Sequence, residues 1–156
     1  MDLFQGTKMI AAQAMTLGEY NKYRGWEIPA NEDPAREGYL VEYIGTNDSN
    51  HPEHKSYISW SPKQQFDDSH VRAGGPETLA YVPFIQRLLG EQARNCDSLE
   101  KLQTFQKTEL WTQLPDDVRE LMARQEQVMF ELQHVLNDRV ELALDVKVHN
   151  KEVSPQ

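Results

Sequence analysis

Apolar residues change their spacing at Ala73-Gly74-Gly75-Pro76, and no single repeating element accommodates both sides of that break. Before it they come in short bursts among aromatics and turn formers; after it they recur every three or four residues, the period of an amphipathic helix. The change predicts an α+β chain: a small antiparallel sheet module with short helices, followed by a long antiparallel α-helical hairpin. The expected boundaries are residues 1–73 for the module, 74–82 for a linker, 83–149 for the hairpin and 150–156 for a flexible tail.

In the module, Lys8 to Met15 reads as a first strand. Thr16-Leu17-Gly18-Glu19 reads as a helix start, since the Thr16 hydroxyl can accept from a free N–H while Glu19 reaches back. The helix should reach about Tyr23 and close at Gly25, with Trp26 starting an extended segment and Asn31-Glu32-Asp33-Pro34 forming a turn. Tyr39 to Ile44 is a second strand. Alternation places Tyr39, Val41 and Tyr43 on one face and Leu40, Glu42 and Ile44 on the other, where Glu42 needs a partner. Residues 45–55 are nearly all turn formers, and Tyr57-Ile58-Ser59-Trp60 is a third strand. Ser61-Pro62 is expected to open a helix running to about Phe66, with the hydroxyl as cap and proline in the first turn.

Beyond the break, Ile85, Leu88, Leu89, Cys96, Leu99, Leu102 and Phe105 form one stripe. Val118, Leu121, Met122, Val128, Met129, Leu132, Val135, Leu136, Val140 and Ala143 form another. Helices from about Pro83 to Gln106 and from Asp116 to Val146 follow, joined by Thr108 to Pro115, and the short joint favours an antiparallel pair. Such a pair alone leaves apolar surface wet, so packing on the module or on a second copy is expected.

Charge narrows the function. With 25 acidic and 16 basic residues spread over both halves, the net charge of −9 argues against binding along a nucleic-acid backbone, which requires dense cationic neutralisation. No stretch approaches the apolar length of a membrane span, and one cysteine cannot form an internal disulfide, so a soluble protein of a reducing cytoplasm is expected.

Strong catalytic motifs are missing. There is no nucleophile elbow, no phosphate loop and no dinucleotide fingerprint, and Cys96 on a helix stripe reads as a buried, inert thiol. His51-Pro52-Glu53-His54 offers two imidazoles and a carboxylate for a metal or a hydrolase, but a loop frame without cysteine favours a solvated turn. Asp67-Asp68 and Glu32-Asp33 read as turn and cap residues. Neither a metal nor a cofactor is expected. What stands out is the set Arg24, Gly25, Trp26, Tyr39, Glu42, Tyr43, Tyr57, Trp60, Ser61 and Pro62. Rings can stack a base, a guanidinium can pair a phosphate and a helix start can accept its oxygens, although a small domain also fills its core with aromatics.

Met15-Thr16-Leu17-Gly18-Glu19-Tyr20, Arg24-Gly25-Trp26, Glu37-Gly38-Tyr39-Leu40-Val41-Glu42-Tyr43 and Tyr57-Ile58-Ser59-Trp60-Ser61-Pro62-Lys63 carry a resemblance over residues 8–72. This stretch is similar to the second type of Thoeris anti-defence nucleotide-sponge family from bacteriophages. The resemblance implies a non-enzymatic homo-oligomer that sequesters a cyclic nucleotide-type signal of bacterial immunity, with Arg24, Gly25, Trp26, Trp60, Ser61 and Pro62 at the pocket. The second half resembles a helical hairpin of uncharacterised phage proteins. The alternative is a phage protein that inhibits a host protein through its hairpin or acidic surface.

Overall fold

The computed structural model describes residues 1–3, 6 and 8–152, those beyond 145 as backbone only. The chain divides into two compact units, Met1–His70 and Val71–Gln156. Its fold is α+β, a three-stranded antiparallel sheet with short helices followed by long helices.

The first unit comprises β1 (Ala11–Ala14), α1 (Leu17–Arg24), β2 (Gly38–Glu42), β3 (Ile58–Pro62) and α2 (Lys63–Ser69). Strand order is β1-β2-β3, with Gln13 opposite Leu40 and Leu40 opposite Trp60. The expected first strand from Lys8 is shorter because only Ala11–Ala14 finds a ladder on β2. Helix α1 opens with the expected capping box. The Glu19 N–H donates to Thr16 Oγ1 at 3.2 Å, while Thr16 N–H donates to Glu19 Oε2 at 2.8 Å. It closes at Gly25, whose φ of 68° lies in the left-handed region, and the N–H groups of Gly25 and Trp26 return to the carbonyls of Lys22 and Asn21.

Pleat alternation gives the sheet two working faces. On one, Leu40 and Ile58 pack with Tyr20 of α1, flanked by Met15, Tyr23 and Trp60. On the other, Tyr39 stacks on Phe66 of α2 at 4.2 Å.

Ser61 and Pro62 correct one expectation. Both belong to β3, paired with Tyr39 and Gly38; α2 starts at Lys63, and its N-cap is Pro62, which supplies no side-chain hydrogen bond. The ladder on β2 outcompetes the local helix-start chemistry of Ser-Pro, and an edge strand tolerates the proline.

The second unit holds a 3-10 turn at Pro76–Ala80, then α3 (Pro83–Phe105), the single turn α4 (Glu109–Thr112) and α5 (Asp116–Glu152). Helices α3 and α5 run antiparallel: Gln92 Nε2 donates to Asn137 Oδ1 at 2.8 Å, Asn95 Nδ2 to Gln133 Oε1 at 2.8 Å and Gln103 Nε2 to Glu126 Oε1 at 3.0 Å, so partners descend as positions ascend. Leu88, Leu136 and Val140 form the seam, extended by Leu89, Ala143 and Leu144. Helix α5 runs past the expected end at Val146 and takes in the first residues assigned to the 150–156 tail, whose remainder, 153–156, lies outside the described residues. Among the described residues no helix is long and apolar enough to cross a membrane.

Candidate functional site

The sheet distributes the ten singled-out residues over three places. Arg24, Gly25 and Trp26 gather at the C-terminal end of α1. Trp26 is 53% exposed, the Arg24 guanidinium carbon lies 4.3 Å from its ring centroid, and Tyr20 meets the ring edge-on at 6.1 Å. Arg24 Nη1 also donates to the Tyr20 hydroxyl at 3.5 Å. Burial pushes the Tyr20 phenol up, with Arg24 opposing, so the ring under this cation stays a neutral phenol at physiological pH.

Trp60 and Glu42 occupy the α1 face of the sheet. Trp60 is half-buried, donates from Nε1 to the Met15 carbonyl at 2.8 Å and lies over Gly38, with Arg36 at 5.6 Å from its ring. Only glycine leaves room there, because a Cβ at position 38 would collide with the indole and the Ser61 carbonyl. Tyr39 and Tyr43 lie on the opposite face, Tyr39 stacked on Phe66 and Tyr43 receiving the Ser59 hydroxyl at 3.3 Å. Tyr57 is exposed beside Tyr43, ring centroids 6.1 Å apart. Pro62 ends β3, and Ser61 is held in the ladder. The sheet therefore separates Tyr39 and Tyr43 from Trp60.

Glu42 has the partner its position demanded. Its carboxylate takes the buried Ser56 N–H at 3.2 Å and faces Nδ1 of His54 at 2.8 Å. The chain of contacts continues: His54 Nε2 is 3.0 Å from the Tyr23 hydroxyl, which donates to Glu53 Oε2 at 2.8 Å. His51 stacks on Tyr23 at 4.3 Å; because the Glu53 N–H donates to its Nδ1, its Nε2 is the nitrogen that donates to the Tyr23 carbonyl. The 51–54 segment is a turn exposed at Pro52 and Glu53, but its two histidines anchor it. Both imidazoles are half-buried and staple the loop to α1.

Carboxylate, imidazole and hydroxyl stand in the order of a relay that activates a nucleophile. Here the hydroxyl is held the other way: burial, the Glu53 hydrogen bond and the charges of Glu53 and Glu42 all push the Tyr23 phenol up. A phenol kept protonated is a clamp and a poor nucleophile. Among the described residues no group of three or more His, Cys, Asp or Glu is placed to hold a metal ion. Cys96 is half-buried rather than buried, and burial together with Glu100 raises its thiol.

Between α1 and the stapled loop opens a groove of about 620 Å³, lined by Gln13, Met15, Lys22, Tyr23, His51 and Glu53 among others. The spacing of Arg24 and Trp26 does not encode this groove, because its walls meet only when the loop docks. The His-Pro-Glu-His segment was the one available signal.

Residues 82–142 match the Sequestin family model. The match spans all of α3, the α4 turn and α5 as far as Leu142, and leaves the aromatic set of the first unit outside it. No curated protein and no solved structure matches the chain.

Proposed function

We propose that this chain is a bacteriophage accessory protein that binds a cyclic nucleotide-type signal of bacterial immunity in the host cytoplasm and withdraws it without chemical change. The observation that carries the reading is the Sequestin match over residues 82–142, a family named for sequestration. Two features of the first unit support a nucleotide as the cargo. Residues 8–72 resemble a nucleotide-sponge family, and Trp26 exposes an indole whose neighbour Arg24 is a guanidinium able to pair a phosphate while a base stacks on the ring.

In this reading Trp26 stacks the base, Arg24 takes a phosphate oxygen, and Gly25, lacking a side chain, keeps the approach open. Trp60 frames the α1 face through its bond to Met15 rather than stacking the ligand. Tyr39 and Tyr43 belong to the α2 face and support the sheet. Catalysis has no part in the mechanism, in keeping with a Tyr23 phenol kept protonated by burial, by its hydrogen bond to Glu53 and by the charges of Glu53 and Glu42.

Titration calorimetry of the purified chain against cyclic dinucleotides and cyclic ADP-ribose isomers tests the reading. Saturable binding of one member that weakens in Arg24→Ala and Trp26→Ala is the expected result. Absence of binding across the panel overturns it for these signals.

A further inference from the structure

Helix α5 carries two apolar rows, and among the described residues one of them packs against α3 while the other is exposed. Leu136, Val140 and Ala143 pack with Leu88 of α3. One residue over, Leu121, Gln125, Val128, Leu132, Val135, Arg139 and Leu142 follow a 4-3-4-3-4-3 spacing, and every one of them is exposed. A row repeating every 3.5 residues over roughly 32 Å of helix is the seam of a left-handed supercoil, which needs a second helix to cover it.

The order of residues along this row indicates which helix. Read from either end it runs Leu, polar, Val, Leu, Val, polar, Leu, with Leu132 at its centre. A surface that reads the same in both directions is self-complementary about a two-fold axis, as an isologous contact requires. We infer that this face of α5 pairs antiparallel with the same face of a second copy, about an axis at Leu132.

That arrangement sets Leu121 near Leu142 of the second copy and Val128 near Val135. Gln125 comes to Arg139, whose guanidinium lies 3.7 Å from Glu91 Oε2 on the rim, and its carboxamide oxygen can accept from the guanidinium. Charges beside the row fit as well. Arg124 and Asp138 flank it at equivalent positions two heptads apart, about 21 Å along one helix and too far to meet in one chain. Antiparallel pairing brings Arg124 against Asp138 of the second copy twice. Glu131, halfway between, meets its own copy, and one heptad outside the Arg124–Asp138 pairs Asp117 comes against Asp145 of the second copy; these are the like-charge approaches. A parallel pairing would instead set Arg139 against Arg139, and a foreign helix has no need of the palindrome.

Sedimentation equilibrium of the full chain tests the inference, with circular dichroism confirming that each variant is folded. The wild type is expected at twice its 18.1 kDa chain mass. Leu132→Glu, at an exposed position, should raise the dissociation constant roughly 30-fold or more. Arg124→Asp and Asp138→Arg should each raise it roughly 5- to 10-fold, the double exchange should restore it, and Glu131→Gln should lower it. A single-chain mass at every concentration reached overturns the inference, as does a dimer indifferent to Leu132→Glu. Charge reversals that add instead of compensating overturn the antiparallel axis, and a monomer that covers this row with a host protein overturns the second copy as occupant.

Discussion

The guanidinium of Arg24 lies 4.3 Å from the centre of the Trp26 ring, immediately after the glycine that ends α1. Because Trp26 is 53% exposed, removing it disturbs little of the core. Trp26→Ala is expected to change stability by about 1 kcal/mol or less. The same substitution should weaken nucleotide binding roughly 10- to 100-fold, the size of one lost base stack. Parallel melting and calorimetry on Trp26→Ala and Arg24→Ala check both halves; a large loss of stability with unchanged affinity would assign this pair to structure alone.

Glu42 and His54 carry a different expectation. The Glu42 carboxylate satisfies the N–H of Ser56, which is buried, so Glu42→Ala leaves that donor without its acceptor and should cost about 1–3 kcal/mol. Glu42→Gln retains an acceptor and should cost less. Urea denaturation of the two variants orders them, and equal losses would show that the Ser56 bond contributes little.

How far the sequence discloses such relationships depends on their range. Thr16 with Glu19, and Gly25 after Arg24, are local chemistry, and both form as the sequence indicates. Alternation alone shows that Glu42 needs a partner, yet His54 reaches it only because an eleven-residue run of turn formers folds back onto α1. No spacing rule encodes that docking. Ser61-Pro62 misleads for the converse reason: its local grammar is that of a helix start, while long-range pairing with Tyr39 and Gly38 takes both residues into β3. In the second unit the 3.6-residue period finds the helices but merges two rows of α5 into one stripe, since neighbouring rows differ by a single residue.

Gly38 makes the packing of Trp60 testable. Since a Cβ there collides with both the indole and the Ser61 carbonyl, Gly38→Ala should displace the ring, break the Nε1 bond to Met15 and cost about 1–3 kcal/mol. Fluorescence would report the indole's change of environment in a chain that remains folded. An unchanged emission spectrum would contradict this placement.

Acid should loosen the short helices of the first unit. The Thr16 N–H, and after it the Thr16 hydroxyl, hold the Glu19 carboxyl below its ordinary value, and Lys63 does the same for Asp67. A carboxylate whose folded pKa is depressed stabilises the fold above its unfolded pKa, and that contribution fades as pH falls through the folded value. The denaturation midpoint should therefore drop from about pH 5 toward about pH 3, less steeply in Glu19→Gln and Asp67→Asn. Identical pH profiles for wild type and variants would remove these two groups from the account.

Sequestration is tested most directly by recovery of the cargo. The chain is incubated with its tightest-binding nucleotide from the panel, freed of excess, heat-denatured, and the released molecule is analysed by mass spectrometry. Stoichiometric release of the unaltered nucleotide is the result predicted here. Release of a cleaved product, or none from a chain that was loaded, would contradict it.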